Sequence, residues 1–176
     1  MLSETLSGFR LSPQQKRLWL LQQESSGYLT QCAILIEGHL QPEIFKGTVQ
    51  KIVNRHEILR TSFCRLSGVK VPVMVVVDSS IPIWQDIDLS AENEQEQANN
   101  IEVLLHKARH QGFNLEQDSV LRLWLLKLAP NKHILLVSLP TLCADSRTIK
   151  NLVTEISNSY SDSLKGKELC DEVVQY

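Results

Sequence analysis

No run of apolar residues in the chain approaches the roughly 20 that a membrane-spanning helix needs. The first ten residues, Met1–Arg10, lack both the basic start and the apolar centre of a signal peptide, so the expected compartment is the cytoplasm. Positive charge is not in excess. The chain carries 18 Lys and Arg against 20 Asp and Glu, a formal net charge of −2, and so offers no basic field to nucleic acid or to an anionic membrane. Paired cysteines are missing as well. Cys32, Cys64, Cys143 and Cys170 are scattered, with no Cys-x-x-Cys pair, and their spacing supports neither a zinc site nor a disulfide framework. Cys32 and Cys64 lie in apolar, strand-like segments and read as small buried hydrophobes. No internal repeat or low-complexity tract is visible. What remains is 176 residues, 43% hydrophobic and 22% charged, the profile of one soluble globular domain or one lobe of a larger one.

Residues 1–10 read as a loose leader. Ser12-Pro13-Gln14-Gln15 then has the pattern of a helix start, with Ser at the cap, Pro at the first helical position and Gln three residues after the cap. Leu18, Trp19 and Leu21 give that helix its apolar side, and Ser25-Ser26-Gly27 ends it. Tyr28–Leu40 is strand-like and apolar at alternate and intervening positions, so burial on both faces is expected. A second helix opens at Gln41-Pro42-Glu43 and runs to Arg55, with Ile44, Phe45, Val49, Ile52 and Val53 as its stripe.

Leu59–Arg65 and Val71–Val77 read as a hairpin around Ser67-Gly68, and Ile83–Asp88 as a further extended segment. A long helix spans Glu92 to Gln111, with Ile101, Leu104, Leu105 and Ala108 inward, and Gly112 stops it. Val120–Leu128 and His133–Leu139 are apolar strands joined through Ala129-Pro130-Asn131-Lys132. The last helix is capped by Asp145 or Ser146 and buries Ile149, Leu152, Val153, Ile156 and Tyr160, while 161–176 reads as a polar tail. Hairpins mixed with helical crossovers predict an α/β fold: a mixed sheet with helices packed on it, a two-layer sandwich.

Between the strand ending at Leu139 and the last helix lies a short turn, Pro140-Thr141-Leu142-Cys143-Ala144-Asp145-Ser146. Strand-to-helix turns are common places for reactive groups in α/β proteins. Cys143 invites a nucleophile reading, but with no histidine or basic group beside it in sequence, a small residue packed inward is the better reading. His133 is seven residues before Pro140, roughly 23 Å along a strand, too far to serve the turn. His106 and His110, four apart on a helix, could pair on a metal, but no third ligand suggests itself and solvent exposure is the simpler reading.

Several segments together resemble one family. Leu11-Ser12-Pro13-Gln14-Gln15-Lys16-Arg17-Leu18-Trp19 is similar to an opening motif S-x-A-Q-x-R-L-W. Arg55-His56-Glu57-Ile58-Leu59-Arg60-Thr61-Ser62-Phe63 matches R-H-E-x-L-R-T-x-F at every specified position. Gln111-Gly112-Phe113-Asn114-Leu115, followed by Leu121-Arg122, looks like P-F-D-L … L-R, and Val174-Gln175-Tyr176 resembles the Q-Y that begins a link to a second lobe. The chain thus resembles the condensation domains of nonribosomal peptide synthetases, in the chloramphenicol-acetyltransferase-like superfamily, over nearly its whole length. The resemblance implies half of such a fold. Residues 11–165 would be the N-terminal lobe, and 166–176 the start of the link to a second lobe not present here.

The family's turn reads H-H-x-x-x-D-G. Pro140 and Thr141 stand where the two histidines would be, Asp145 matches the aspartate, and Ser146 replaces the glycine. The second histidine is the one credited with catalysis, so Thr141 occupies the catalytic position without a basic nitrogen. Losing one general base typically costs about 10²–10⁴-fold in rate. His56 belongs to a motif that is not catalytic in the family and is not expected to replace it. The resemblance further implies that Asp145 pairs with Arg60, pinning the turn to the neighbouring strand, with Arg55, His56 and Glu57 as structural companions. The plainer reading, that Asp145 caps the last helix, stands beside it.

The implied function is a degenerate condensation-type lobe that acts in scaffolding, carrier-protein recruitment or gating. The alternative is an active condensation enzyme that joins carrier-bound acyl or aminoacyl thioesters with groups from the second lobe or the substrate. No cofactor would be bound directly, and a carrier protein's phosphopantetheine arm would bring the substrate. The implied partners are peptidyl carrier protein domains and the second lobe, with self-association through the uncovered face, and neither nucleic acid nor membrane.

Overall fold

Of the computed structural model, residues 8–22 and 28–167 are described here. The expected helix end at Ser25-Ser26-Gly27, Cys170 and the closing Val174-Gln175-Tyr176 lie outside the described residues.

The elements run β1 (Gly8–Arg10), α1 (Pro13–Gln22), β2 (Leu29–Glu37), α2 (Pro42–Arg55), a 3-10 turn (Glu57–Arg60), β3 (Thr61–Cys64), β4 (Val73–Val76), β5 (Ile83–Asp88), α3 (Glu94–His110), β6 (Arg122–Ala129), β7 (Lys132–Pro140) and α4 (Ser146–Leu164). Two helix starts follow their local sequence closely. At α1, Ser12 Oγ accepts from Gln15 N–H at 3.2 Å while Gln15 Oε1 accepts from Ser12 N–H at 3.0 Å, a reciprocal cap. Asn93 and Glu96 make the same arrangement at α3, so that helix begins two residues later than its polar run suggests.

The main sheet has the order β2-β7-β6-β5. β2, β7 and β6 are antiparallel neighbours, and β5 lies parallel to β6. A parallel pair needs a long crossover, and α3 supplies it between β5 and β6. The sheet is therefore mixed, with helices on both faces. On one face α2 and α4 bury Phe45, Val49, Ile52, Val53, Ile149, Leu152 and Ile156 against Leu123, Leu125, Leu135, Val137 and Leu139. On the other, α3 sets Ala108 with Ile101, Leu104 and Leu105 over Trp124, Leu126 and Leu136. Each large apolar side chain sealed this way contributes about 1.5–3 kcal/mol, so these two layers hold the sheet.

The hairpin β3–β4 does not join that sheet. With β1 it makes a separate three-stranded sheet, in the order β1-β4-β3. The 3-10 turn directly after α2 redirects the chain, and β4 finds its second neighbour in β1. Gly68, at φ 77°, makes the left-handed bend of this hairpin that an L side chain resists. A third apolar cluster, Leu11, Trp19, Phe63, Leu115, Val120, Leu142 and Cys143, fastens α1 and the small sheet to the main body.

Four expectations change. Gly8–Arg10, the end of the stretch read as a leader, is a strand, because β4 offers it a free edge. β2 is not buried on both faces: Ala33, Leu35 and Glu37 are exposed, because β2 is the edge of the sheet and α3 sits over the other strands. Leu21 is exposed, leaving Trp19 as the buried residue of α1. The last helix continues to Leu164, into the stretch read as tail.

Candidate functional site

β7 and β2 run in continuous register from Lys132 opposite Glu37 to Pro140 opposite Leu29. Pro140 is therefore the last rung of the ladder. A residue without an N–H fits there, at the end of pairing, better than in the middle. The chain then folds back at once. Pro140 O accepts from Cys143 N–H at 2.9 Å and from Ala144 N–H at 3.2 Å, and Thr141 N–H donates to Tyr28 O at 3.1 Å. Two side chains from elsewhere hold the turn: Thr30 Oγ1 donates to Ala144 O at 2.8 Å and Gln15 Nε2 to Leu142 O at 3.3 Å. Leu142, Cys143 and Ala144 are buried beneath it.

The two residues at the expected histidine positions line different spaces. Thr141 lines a trough of about 480 Å³, whose apolar walls include Leu18, Ile58, Met74, Val76 and Leu142 and whose polar lining includes His56, Asp145 and Thr148. Pro140 lines a smaller cleft of about 220 Å³, beside Trp19, Tyr28, Phe113 and Leu115 and the ion pair of Arg65 with Glu116 at 2.8 Å. The indole N–H of Trp19 is buried without a partner among the described residues.

Asp145 caps α4. Its Oδ1 accepts from Thr148 N–H and from Thr148 Oγ1–H, both at 2.7 Å. The backbone bond from Thr148, and then its hydroxyl, hold this exposed carboxyl below the usual carboxylate range. Arg60 is committed elsewhere. Its Nε donates to Asn54 O at 3.2 Å, its Nη1 to Val77 O at 2.6 Å, and its Nη2 lies 3.9 Å from Glu57 Oε1. The expected Arg60–Asp145 pair is thus replaced by two local duties. Asp145 satisfies the first turn of α4, and Arg60 ties the end of α2 to the end of β4.

The R-H-E segment does reach α4, through a residue that the motifs do not contain. Glu155 takes Arg55 Nη1 on Oε1 at 3.1 Å and His56 Nε2 on Oε2 at 2.7 Å. Glu155 was missed because its partners are about 100 residues away in the chain. The one local signal is an acidic residue directly beside the apolar stripe of α4, between Leu152 and Ile156. Arg55, His56, Glu57 and Arg60 therefore gather at the junction of α2 with the 3-10 turn, and His56 and Glu57 reach the trough.

Other groups are poor reagents. Burial pushes the Cys143 thiol up to about 12, far from a usable thiolate. His133 pairs opposite Ile36 at the far end of β7, and burial lowers its pKa. His106 and His110 are exposed on α3, where His110 Nδ1 contacts His106 O at 2.8 Å. Among the described residues no group of three or more His, Cys, Asp or Glu side chains gathers to hold a metal, and no helix is long and apolar enough to cross a membrane.

The family model of the condensation domain matches residues 7–176. Gramicidin S synthase 2 of Brevibacillus brevis is 30% identical over 171 residues, which is 96% of this chain and 4% of that protein. The starter condensation domain of the rhizomide synthetase RzmA superposes with a TM-score of 0.84 at 21% identity, over 96% of this chain and 41% of that one. The X-domain solved in complex with OxyB from teicoplanin biosynthesis superposes with a TM-score of 0.77 at 21% identity, over 99% of this chain and 37% of that one. The chain therefore spans a small fraction of the curated relative and about two fifths of the solved domains.

Proposed function

Because the chain belongs to the condensation-domain family, we propose that it is the N-terminal lobe of a degenerate condensation domain of a nonribosomal peptide synthetase, working in scaffolding, carrier-protein recruitment or gating. The observation that carries this reading is Thr141. The turn is built and braced, yet the side chain it presents to the trough is a hydroxyl rather than an imidazole. A hydroxyl cannot take a proton from an attacking amine at neutral pH, whereas it can hold a ligand by a hydrogen bond. Cys143 offers no substitute nucleophile. The phosphopantetheine arm of a carrier protein would reach this turn as a visitor, in the cytoplasm, with a second lobe closing the site. The X-domain complex with OxyB supports a recruiting role by analogy, since that neighbour of the same fold is found bound to another protein.

The open trough beside Thr141 favours one second reading: condensation of carrier-bound acyl and aminoacyl thioesters with groups from the second lobe or the substrate. The test is the two-lobe protein with loaded carrier proteins, read by mass spectrometry and by a carrier-binding assay. Carrier binding without condensed product is the expected result. Product that survives Thr141→Ala but is lost on mutating the second lobe would replace the first reading by the second. In a Pro140→His, Thr141→His double variant, a gain of product would mean that the rest of the site is intact.

A further inference from the structure

α3 ends on a pair of imidazoles. His106 and His110 are both exposed, four residues apart on one side of the helix, and their ring centroids lie 4.2 Å apart with 31° between the planes. His110 Nδ1 is 2.8 Å from His106 O. A backbone carbonyl only accepts, so Nδ1 is the donating nitrogen whatever the charge on the ring. Nε2 is then the nitrogen left to meet a ligand. Histidines that bind metal ions commonly have this arrangement, with one ring nitrogen donating to a carbonyl or carboxylate and the other on the ion. The His106 ring has no hydrogen-bond partner among the described residues, so a nitrogen of each ring is open to a ligand.

Two effects compete at this spot. Lys107 and Arg109 flank the pair and repel a cation, but both are exposed, and water and salt screen their charge. The last turn of a helix carries the negative end of its dipole, which attracts one. Direct bonds from two imidazoles held one turn apart outweigh a screened repulsion. Nitrogens that share an ion at about 2.0–2.1 Å each sit roughly 3 Å apart. The centroid separation exceeds that by about 1 Å, a gap that exposed rings close by turning about their own side-chain bonds.

We propose that His106 and His110 together bind one divalent transition-metal ion of the copper, nickel or zinc class, through Nε2 of His110 and a ring nitrogen of His106, with water in the remaining positions. No third His, Cys, Asp or Glu side chain joins the pair among the described residues, so the site is open and exchangeable rather than a closed structural one. The bound ion would span one turn and hold the end of α3, just before Gly112, Phe113, Asn114 and Leu115 of the smaller cleft. α3 covers the face of the sheet opposite α2 and α4, so the site is independent of Thr141 and of any condensation.

The test titrates the metal-free chain with the chlorides of Cu²⁺, Zn²⁺ and Mg²⁺, read by calorimetry and by nitrogen-15 resonances of the histidine rings. One Cu²⁺ or Zn²⁺ per chain is expected at this site, Cu²⁺ the tighter, with Mg²⁺ leaving the resonances of both rings in place. Zn²⁺ should shift His106 and His110 together and slow amide hydrogen exchange in the last turn of α3. His106→Ala and His110→Ala should each weaken binding at least about tenfold, and the double variant only slightly further, since either change removes the chelate. Both positions are exposed and alanine favours a helix, so the variants keep the fold. His39→Ala, exposed on the loop after β2, should leave binding unchanged. Equal binding by wild type and double variant would mean an adventitious ion only and overturn the proposal. So would ring resonances that shift at different Zn²⁺ concentrations, or unchanged exchange at the end of α3 at saturating Zn²⁺.

Discussion

The side chains of the turn divide into those that hold it and those it presents. Cys143 belongs to the first kind. With its pKa pushed up to about 12 by burial, the thiol is almost entirely protonated at pH 8. In the folded chain, alkylation of Cys143 by iodoacetamide should be at least about a hundredfold slower than in urea, as followed by peptide mass spectrometry. Asp145 also belongs to the first kind, and its contribution depends on pH. Its folded pKa is depressed, first by the backbone bond from Thr148 and then by the hydroxyl of the same residue. A depressed carboxyl stabilises the fold above its unfolded pKa and loses that effect as pH falls through its folded value. Asp145→Ala should therefore lower the melting temperature at pH 7. The gap between variant and wild type should close as the pH is taken down from about 4 through the lower folded value of Asp145. A gap that stays constant down to pH 2 would mean that the capping charge contributes nothing. Because Arg60 bonds to backbone carbonyls and not to Asp145, Arg60→Ala combined with Asp145→Ala should show additive losses.

At the scale of elements, the contest is between the apolar layer and the ion clamp that both join α2 to α4. Ile52 is fully buried in that layer, whereas Arg55, His56 and Glu155 keep 20–25% of their side-chain surface exposed. Ile52→Ala should cost about 2–5 kcal/mol in urea unfolding. Glu155→Gln should cost no more than about 1 kcal/mol, since partly solvated pairs contribute little net stability. The reverse order would make the clamp the main brace of α4.

These elements were legible in the sequence wherever the signal was local. The stripe of α2, apart from the exposed Ile44, the capping pattern at Ser12 and the hairpin around Ser67-Gly68 all rest on residues that are neighbours in the chain. The parts that were not legible depend on topology. Three residues at Gly8–Arg10 have no strand signature of their own and pair because β4 has a vacant edge. The open face of β2 follows from its place at the sheet margin. The hydrogen-bond acceptors of Arg60 are backbone carbonyls, which a side-chain motif cannot reveal. The candidate site was legible as a turn and a motif, and illegible in the carboxylate that connects them.

For the whole molecule, the main question is what is left uncovered. The chain spans about two fifths of the solved domains it matches. Among the described residues the edge of β2 is unpaired, with Leu35 exposed on the face that α3 does not reach. A regular edge strand with so little charge is a template for further pairing. Light scattering across a concentration series should show self-association of the isolated chain, and a monomer at the highest concentration would count against it. The clamp at Glu155 has a consequence for how such a molecule comes together. His56 and Glu155 are 99 residues apart in sequence, and Leu29 and Pro140, facing each other on β2 and β7, enclose most of the chain between them. Contacts of such long range cannot form until the intervening chain is organised, and they slow folding. On a ribosome, the Arg55-His56-Glu57 segment would emerge long before Glu155, so the contact that holds the His56 ring would have to wait until the whole stretch as far as α4 had been made.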